Sequence, residues 1–230
     1  MKLTVVTLFE ASISNYFEEG ILGRAKREGL YELAFINPRD FALDKYKSVD
    51  DYKMGHGAGM IMSMQPLFDL LFSIKKEDPK AHFIFPTPVA PLFSTNDAKR
   101  LATKTHLVMV CGRYEGIDER LIEHFANEVF SLGNFILSGA ELAAAAFLDA
   151  TLRFVPKVLG NELSLVEESF ENSLLEAPAF AKPLHFEKEG CKLSANSAYL
   201  QGSHGKIADL NFKMSLCKSR FHRLDLAKSD

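Results

Sequence analysis

Apolar residues along this chain keep two rhythms, and the two alternate. Short runs rich in aliphatic, aromatic and β-branched residues, at 3–9, 31–36, 82–85 and 107–111, the last of them without a charge, read as strands, and Glu128–Phe130 reads as a shorter one. Between them apolar positions recur at helical spacing. Ser12 or Ser14 opens a helix reaching Glu28, and Gly29 ends it. Residues 65–77 form an amphipathic helix whose apolar face holds Leu67, Leu70, Leu71 and Ile74, with Asp78-Pro79 as its stop. Ser94-Thr95-Asn96-Asp97 starts a short helix to about Thr103, and 117–126 and 141–154 carry two more. Residues 40–54, crowded with Asp40, Asp44, Lys45, Lys47, Asp50, Asp51 and Lys53, lack periodicity and read as a solvated loop.

Alternating strands and helices predict an α/β fold with a mostly parallel sheet and crossover helices. The rhythm fails beyond Val155. Pro156, Gly160 and Glu167-Glu168 fall in a stretch without period, and Pro178 and Pro183 break the chain again further on. The tail from Gly205 sets Lys206, Lys213, Lys218, Arg220, Arg223 and Lys228 around Leu210, Met214 and Leu216. The expected organisation is one domain over 1–157, a linker over 158–172 and a small, mostly helical C-terminal domain over 173–230.

Composition narrows the classes. With 230 residues and 47% hydrophobic content the chain can bury a full core. A net charge of −3 leaves nucleic-acid affinity to a local patch rather than to bulk basicity. Cys111, Cys191 and Cys217 are odd in number and far apart, which fits a reduced cytoplasmic protein and argues against a disulfide framework or zinc knuckle. The chain runs from Lys2 straight into a strand, so no leader is expected. The apolar stretch 141–154 contains Asp149 and Arg153, so no membrane span is expected either.

Familiar catalytic constellations are missing: there is no HExxH, no GxSxG and no Gly-Lys-Ser/Thr. Met54-Gly55-His56-Gly57-Ala58-Gly59-Met60 comes after a charged loop rather than a strand, and reads as a loop closely approaching a ligand or another backbone, not as a nucleotide cradle. Cys111 reads as a small core residue, and His204 as a turn histidine. Three strand-end loops remain, at 86–91, 112–115 and 132–140. They are rich in glycine and proline, apolar at many positions, and lack the lysine a triphosphate calls for. Such loops suit a flat heterocycle held by main-chain groups, an adenosine without phosphates, and their residues equally suit three ordinary tight turns. In open α/β sheets, loops at the carboxyl ends of parallel strands are where ligands bind.

Cys-Gly-Arg-Tyr-Glu-Gly-Ile-Asp-Glu-Arg at 111–120 and Leu-Gly-Asn-Phe-Ile-Leu-Ser-Gly-Ala-Glu at 132–141 closely resemble the bacterial tRNA (guanine-N1)-methyltransferase family, TrmD. So do Asn37-Pro38-Arg39-Asp40-Phe41, Gly57-Ala58-Gly59-Met60 and the run Arg153-Phe154-Val155-Pro156-Lys157-Val158-Leu159-Gly160. The resemblance implies a SPOUT-class domain over 1–157 with a trefoil knot, a topology that general rules of chain connection disfavour. It also implies a homodimer, S-adenosylmethionine as methyl donor, and tRNA as substrate, methylated on N1 of the guanosine 3′ of the anticodon. Magnesium is a candidate accessory ion. The cofactor-binding residues it implies are Thr87, Pro88, Gly112, Tyr114, Glu115, Leu132, Gly133, Asn134, Phe135, Ile136, Leu137, Gly139 and Ala140, with Glu115 toward the methionine end. The catalytic residues it implies are Arg153 and Glu168. Glu168 stands where the family carries an aspartate, Ala90 and Ala140 where glycines are usual, Asn134 for an acid and Phe135 for a tyrosine. A Trp-Arg pair is replaced around Leu210-Asn211.

These parts suit the chemistry. Guanine N1 holds a proton and is a poor nucleophile until a base removes it, a task for a carboxylate. Negative charge then grows toward O6, where a guanidinium can stabilise it. Two other readings compete: a SPOUT methyltransferase acting on another RNA, and a non-catalytic RNA-binding module.

Overall fold

The computed structural model describes residues 1–55, 59–161, 165, 168–170, 174–200 and 203–226. The chain divides into two compact units, Met1–Gly160 and Asn161–Asp230. The first is built on β1 (Lys2–Val6), β2 (Glu32–Ile36), β5 (His82–Pro86), β6 (His106–Val110) and β7 (Glu128–Phe130). They form one sheet in the order β2-β1-β6-β5-β7, and every pairing is parallel. The helices of this unit are α1 (Gly20–Arg27), α2 (Met64–Glu77), α3 (Thr95–Leu101), α4 (Glu119–Phe125) and α5 (Glu141–Leu152).

Why the strands read as unbroken apolar runs is visible in the packing. Leu107, Met109 and Cys111 join one core with Leu3, Val5 and Ile84, while Val108 and Val110 join a second core with Val6, Phe83 and Phe85. Alternate side chains thus enter opposite cores, and both sheet faces are covered. The first core is closed by α1 and α5 through Leu22, Ala25, Ala144, Phe147 and Leu148, the second by α2 and α4 through Leu67, Leu70, Leu71, Ile74 and Leu121. The alanines of α5 let it pack close: Ala144, Leu148, Thr151 and Leu152 are all fully buried. Phe147 stacks on Phe93 with ring centroids 4.4 Å apart. At the amino edge of the sheet, the buried His106 ring lies 3.0 Å from Thr4 Oγ1 and 2.8 Å from Asp78 Oδ2.

Several boundaries differ from expectation for local reasons. Residues 12–28 are not one helix: two 3-10 turns, Glu10–Ser12 and Ser14–Phe17, precede α1. Gly20 sits at φ +59°, and a Cβ on Gly23 would lie 2.0 Å from the Glu18 carbonyl oxygen, so the chain doubles back sharply there. Neither serine caps α1, because Ser12 donates to the Phe9 carbonyl and the N-cap is Glu19. The predicted loop 40–54 ends in a strand, β3 (Asp50–Tyr52), paired antiparallel with β4 (Met60–Met62). Strands of three residues are too short to show a period. α3 starts where expected, with a reciprocal Ser94/Asp97 capping box.

The second unit contains a hairpin of β8 (His185–Lys188) and β9 (Cys191–Ser194), then α6 (His204–His222). Glu189 and Gly190 both have positive φ, the geometry of a tight two-residue hairpin turn. His204 is the first residue of α6 rather than a turn histidine. The helix is fastened to the preceding chain by Ser219, fully buried, whose Oγ accepts from the Leu175 amide at 2.8 Å, and by Ser215, which donates to the Leu175 carbonyl.

Candidate functional site

Parallel strands bring their carboxyl ends to one edge, so the segments after β5, β6 and β7 emerge side by side. Main-chain bonds stitch them together. The Thr87 amide donates to the Phe130 carbonyl at 2.8 Å, Ser131 N to Pro91 O at 2.8 Å, and Phe93 N to Ser131 O at 3.0 Å, joining the first loop to the third. The Ala140 amide donates to the Gly112 carbonyl at 3.1 Å, joining the third loop to the second. The hairpin β3–β4 reaches the second loop as well: Glu115 N donates to Met60 O at 2.9 Å and Met62 N to Gly116 O at 3.0 Å. Gly59, at φ +107°, passes so close that a Cβ there would lie 2.6 Å from Glu115 Cγ. At its described end the glycine run thus lies against the Glu115 side chain through Gly59 and bonds the Glu115 amide through Met60. His56, Gly57 and Ala58 lie outside the described residues.

The structure brings together on this edge all thirteen residues expected to bind the cofactor. Thr87 and Pro88 follow β5, Gly112, Tyr114 and Glu115 follow β6, and residues 132–140 run from β7 to α5. Tyr114 holds φ +58°, and its hydroxyl is 3.5 Å from Asp50 of the hairpin. Leu132, Phe135, Ile136 and Leu137 leave apolar surface exposed, as do Val89 and Leu92 of the first loop. Asn134 is exposed, while Gly133, Gly139 and Ala140 are half-buried. A Cβ on Gly133 would meet the Phe135 ring at 2.4 Å, so the third loop folds back tightly on itself. Exposed aliphatic side chains on main-chain-rich loops make a surface that a flat, uncharged heterocycle can share.

One polar cluster on this edge was not assigned a role from sequence. Glu141, first residue of α5 and 2% exposed, accepts from Thr7 Oγ1 at 2.8 Å and from Arg113 Nε at 3.0 Å. Arg113 Nη2 lies 2.9 Å from Glu141 Oε2, and Nη1 donates to the Ser138 carbonyl at 3.2 Å. The guanidinium also covers the Phe9 ring, 4.4 Å from its centroid. The available signal was a charged residue at each end of two glycine-rich loops. Cys111, beside this pair, is fully buried; burial first, and the Glu141 charge second, push its thiol well above the ordinary range. It serves packing rather than nucleophilic chemistry.

The two residues expected to be catalytic belong to different units. Arg153 is the C-cap of α5 and is half-buried in the first unit. Glu168 lies in the second unit, where it helps line a groove of about 620 Å³ together with Phe180, Tyr199 and Asn211. Glu167, its neighbour in sequence, lies outside the described residues. Among the described residues no group of three or more His, Cys, Asp or Glu side chains is placed to hold a metal ion. No described helix is long and apolar enough to cross a membrane.

A parallel sheet with helices on both faces and carboxyl-edge loops cross-tied into one partly apolar surface defines an α/β protein with its candidate site where such folds bind ligands. Residues 1–229 match the family described as tRNA (Guanine-1)-methyltransferase TrmD. A protein of Campylobacter jejuni subsp. jejuni named tRNA (guanine-N(1)-)-methyltransferase is 52% identical over 226 residues, 98% of this chain and 97% of its own. Proteins of the same name from Sulfurovum sp. and Sulfurimonas denitrificans are 51% and 49% identical, covering 99% and 97% of this chain and 99% and 95% of their own. The chain belongs to the TrmD family of tRNA (guanine-1)-methyltransferases.

Proposed function

We propose that this protein is an enzyme transferring a methyl group from S-adenosylmethionine to N1 of the guanosine 3′ of the anticodon in tRNA. The observation that carries this reading is the family match over residues 1–229, with relatives of that name sharing about half of all positions along the whole chain. The cross-tied loops after β5, β6 and β7 support a cofactor seat built from Thr87, Pro88, Gly112, Tyr114, Glu115, Leu132–Leu137, Gly139 and Ala140. When bound there, S-adenosylmethionine supplies a methyl group already activated on a sulfonium. Exposed Leu137 and Phe135 flank the adenine in this reading, and loop amides and carbonyls meet its edge.

Two side chains then act on the guanine. Glu168 takes the N1 proton, a step worth about 10²–10⁴-fold. Arg153 holds the developing charge on O6. The domain over 1–157 carries the SPOUT-type trefoil knot, 158–172 links it to a tRNA-binding domain over 173–230, and α6 supplies lysines and arginines to the RNA backbone. The enzyme works in the cytoplasm as a homodimer with each active site shared. Exposed Val89, Ile136 and Leu142 support an apolar contact between copies. Magnesium is carried as an accessory ion acting with the RNA. The described residues build no resident site for it, and no step of the reaction is routed through it.

The test is methyl transfer to tRNA transcripts with the target guanosine intact or changed to adenosine, repeated with Glu168 variants. Loss of transfer with adenosine is expected. Glu168→Gln should keep cofactor and tRNA binding but lower the single-turnover rate by about 10²–10⁴-fold, and Glu168→Asp should retain substantial activity. Transfer undiminished by the adenosine change refutes the target. A crippled Glu167→Gln beside a normal Glu168→Gln moves the base by one residue.

A further inference from the structure

We propose that Arg113 and Glu141 are positioning residues that set the shape of the cofactor loop between β7 and α5, an inference that rests on reading that loop as part of the S-adenosylmethionine seat. Glu141 is 2% exposed, though Arg113 keeps some contact with solvent, and a carboxylate this deep gives up hydration that attraction to its partner only partly restores. Apolar side chains of similar volume would hold α5 to β1 at least as well. What the pair does that apolar packing does not is fix directions. Arg113 comes from the loop after β6, yet its Nη1 binds the carbonyl of Ser138, inside the third loop, at 3.2 Å. Its Nε reaches Glu141 at 3.0 Å, and Thr7, just beyond β1, donates to the same carboxylate oxygen at 2.8 Å.

The guanidinium is held on its face too, 4.4 Å from the Phe9 ring centroid. The chain makes room for it: a Cβ on Gly139 would lie 2.3 Å from Arg113 Nε and 2.5 Å from Cζ. At its other end the loop is anchored by Ser131, whose Oγ donates to the Gly133 carbonyl at 3.0 Å. Residues 134–137, with their exposed apolar side chains and main-chain groups, are thus suspended between two fixed points. Loosening the Arg113 end leaves the sheet intact but lets the loop wander. Each loop amide or carbonyl that drifts out of reach of the ligand forfeits a hydrogen bond worth about 0.5–1.5 kcal/mol of affinity, while a cofactor that does bind is still presented to the same catalytic groups.

Calorimetric titration of the full-length protein with S-adenosylmethionine, together with steady-state methylation of tRNA and thermal melting, tests this. Arg113→Gln and Glu141→Gln should each raise the Kd for the cofactor by about tenfold, with the tRNA KM unchanged. At saturating cofactor, kcat should stay within about threefold of wild type. Arg113→Lys keeps the charge but loses the fork that reaches both Ser138 and Glu141. It should recover melting temperature more than affinity. Should Glu141→Gln fail to fold, the two Arg113 variants decide alone. A lowered melting temperature with unchanged cofactor Kd overturns the inference and leaves the pair a stabilising contact only. Wild-type binding, abolished by Leu137→Asp, is the control for the seat itself. Failure of that control overturns the underlying reading. Success of the control with Arg113→Gln at wild-type affinity overturns this inference alone.

Discussion

Replacing Gly59 by alanine isolates the contact between the β3–β4 hairpin and Glu115. Two costs attend the change. The backbone at φ +107° is one that side-chain-bearing residues rarely adopt, worth about 1–3 kcal/mol. The new Cβ would also sit 2.6 Å from Glu115 Cγ and 2.8 Å from Oε1. A glutamate side chain can swing away, so that second cost is a rotamer change of about 0.5–1.5 kcal/mol rather than a broken core. Gly55 provides the control: it has φ +86° in the same hairpin connection, but a Cβ there meets nothing within 4 Å. Urea denaturation should therefore place the two alanine variants within about 1.5 kcal/mol of each other. Cofactor affinity should separate them. With the Glu115 carboxylate accepting from the ammonium of the methionine end, displacing it forfeits a charge-assisted bond of about 1.5–3 kcal/mol, or roughly ten- to a hundredfold in Kd. Titration with S-adenosylmethionine should show that loss for Gly59→Ala and not for Gly55→Ala. Equal losses would trace the effect to hairpin strain, and no loss in either would remove Glu115 from the cofactor seat.

The packing sets three further outcomes. Phe147→Ala, which removes a 1% exposed ring stacked on Phe93, should lower the unfolding free energy by about 3–5 kcal/mol in denaturant titration. Alkylation of the native protein should label Cys191 and Cys217 quickly and Cys111 only on unfolding, because the first two are exposed and the third is buried with a raised thiol pKa. The His106 ring and the Lys80 amide hold the Asp78 carboxyl below its ordinary 3.8, so Asp78 stabilises the fold above that value and ceases to as pH falls through its lower folded value. Asp78→Asn should accordingly be less stable near neutrality, with its deficit shrinking under acid in pH-dependent melting. A constant deficit would refute the linkage.

The sheet was legible because its central strands are buried on both faces: 107–111 and 83–85 are recognisable by continuous apolarity alone, and the helix faces by Leu67, Leu70, Leu71 and Ile74. What escaped was decided by close approach rather than by pattern. Gly20 and Gly23 break the expected first helix through a backbone turn that no periodicity encodes. The hairpins β3–β4 and β8–β9 are short and largely exposed, so neither carries an alternation long enough to read, although Glu189-Gly190 is a turn signal in retrospect. On the candidate site, the loops were found by composition and motif, and the structure gathers them on one edge. The Arg113–Glu141–Thr7 cluster went unassigned because its members lie far apart in sequence and become neighbours only when three strands align.

Strand order has a consequence for how the chain is made. β1 has β2, close by in sequence, on one side, but its other neighbour is β6, where Lys2 aligns with His106, and β5 has β7 on its far side. Until the chain has been synthesised past Phe130, the emerging sheet presents unpaired strand edges, and closing such long intervals is slow. α5, which covers one face, comes later still. The three loops proposed as the cofactor seat are thus complete only when the first unit is nearly synthesised, so S-adenosylmethionine bound there stabilises a sheet whose strands are already in place.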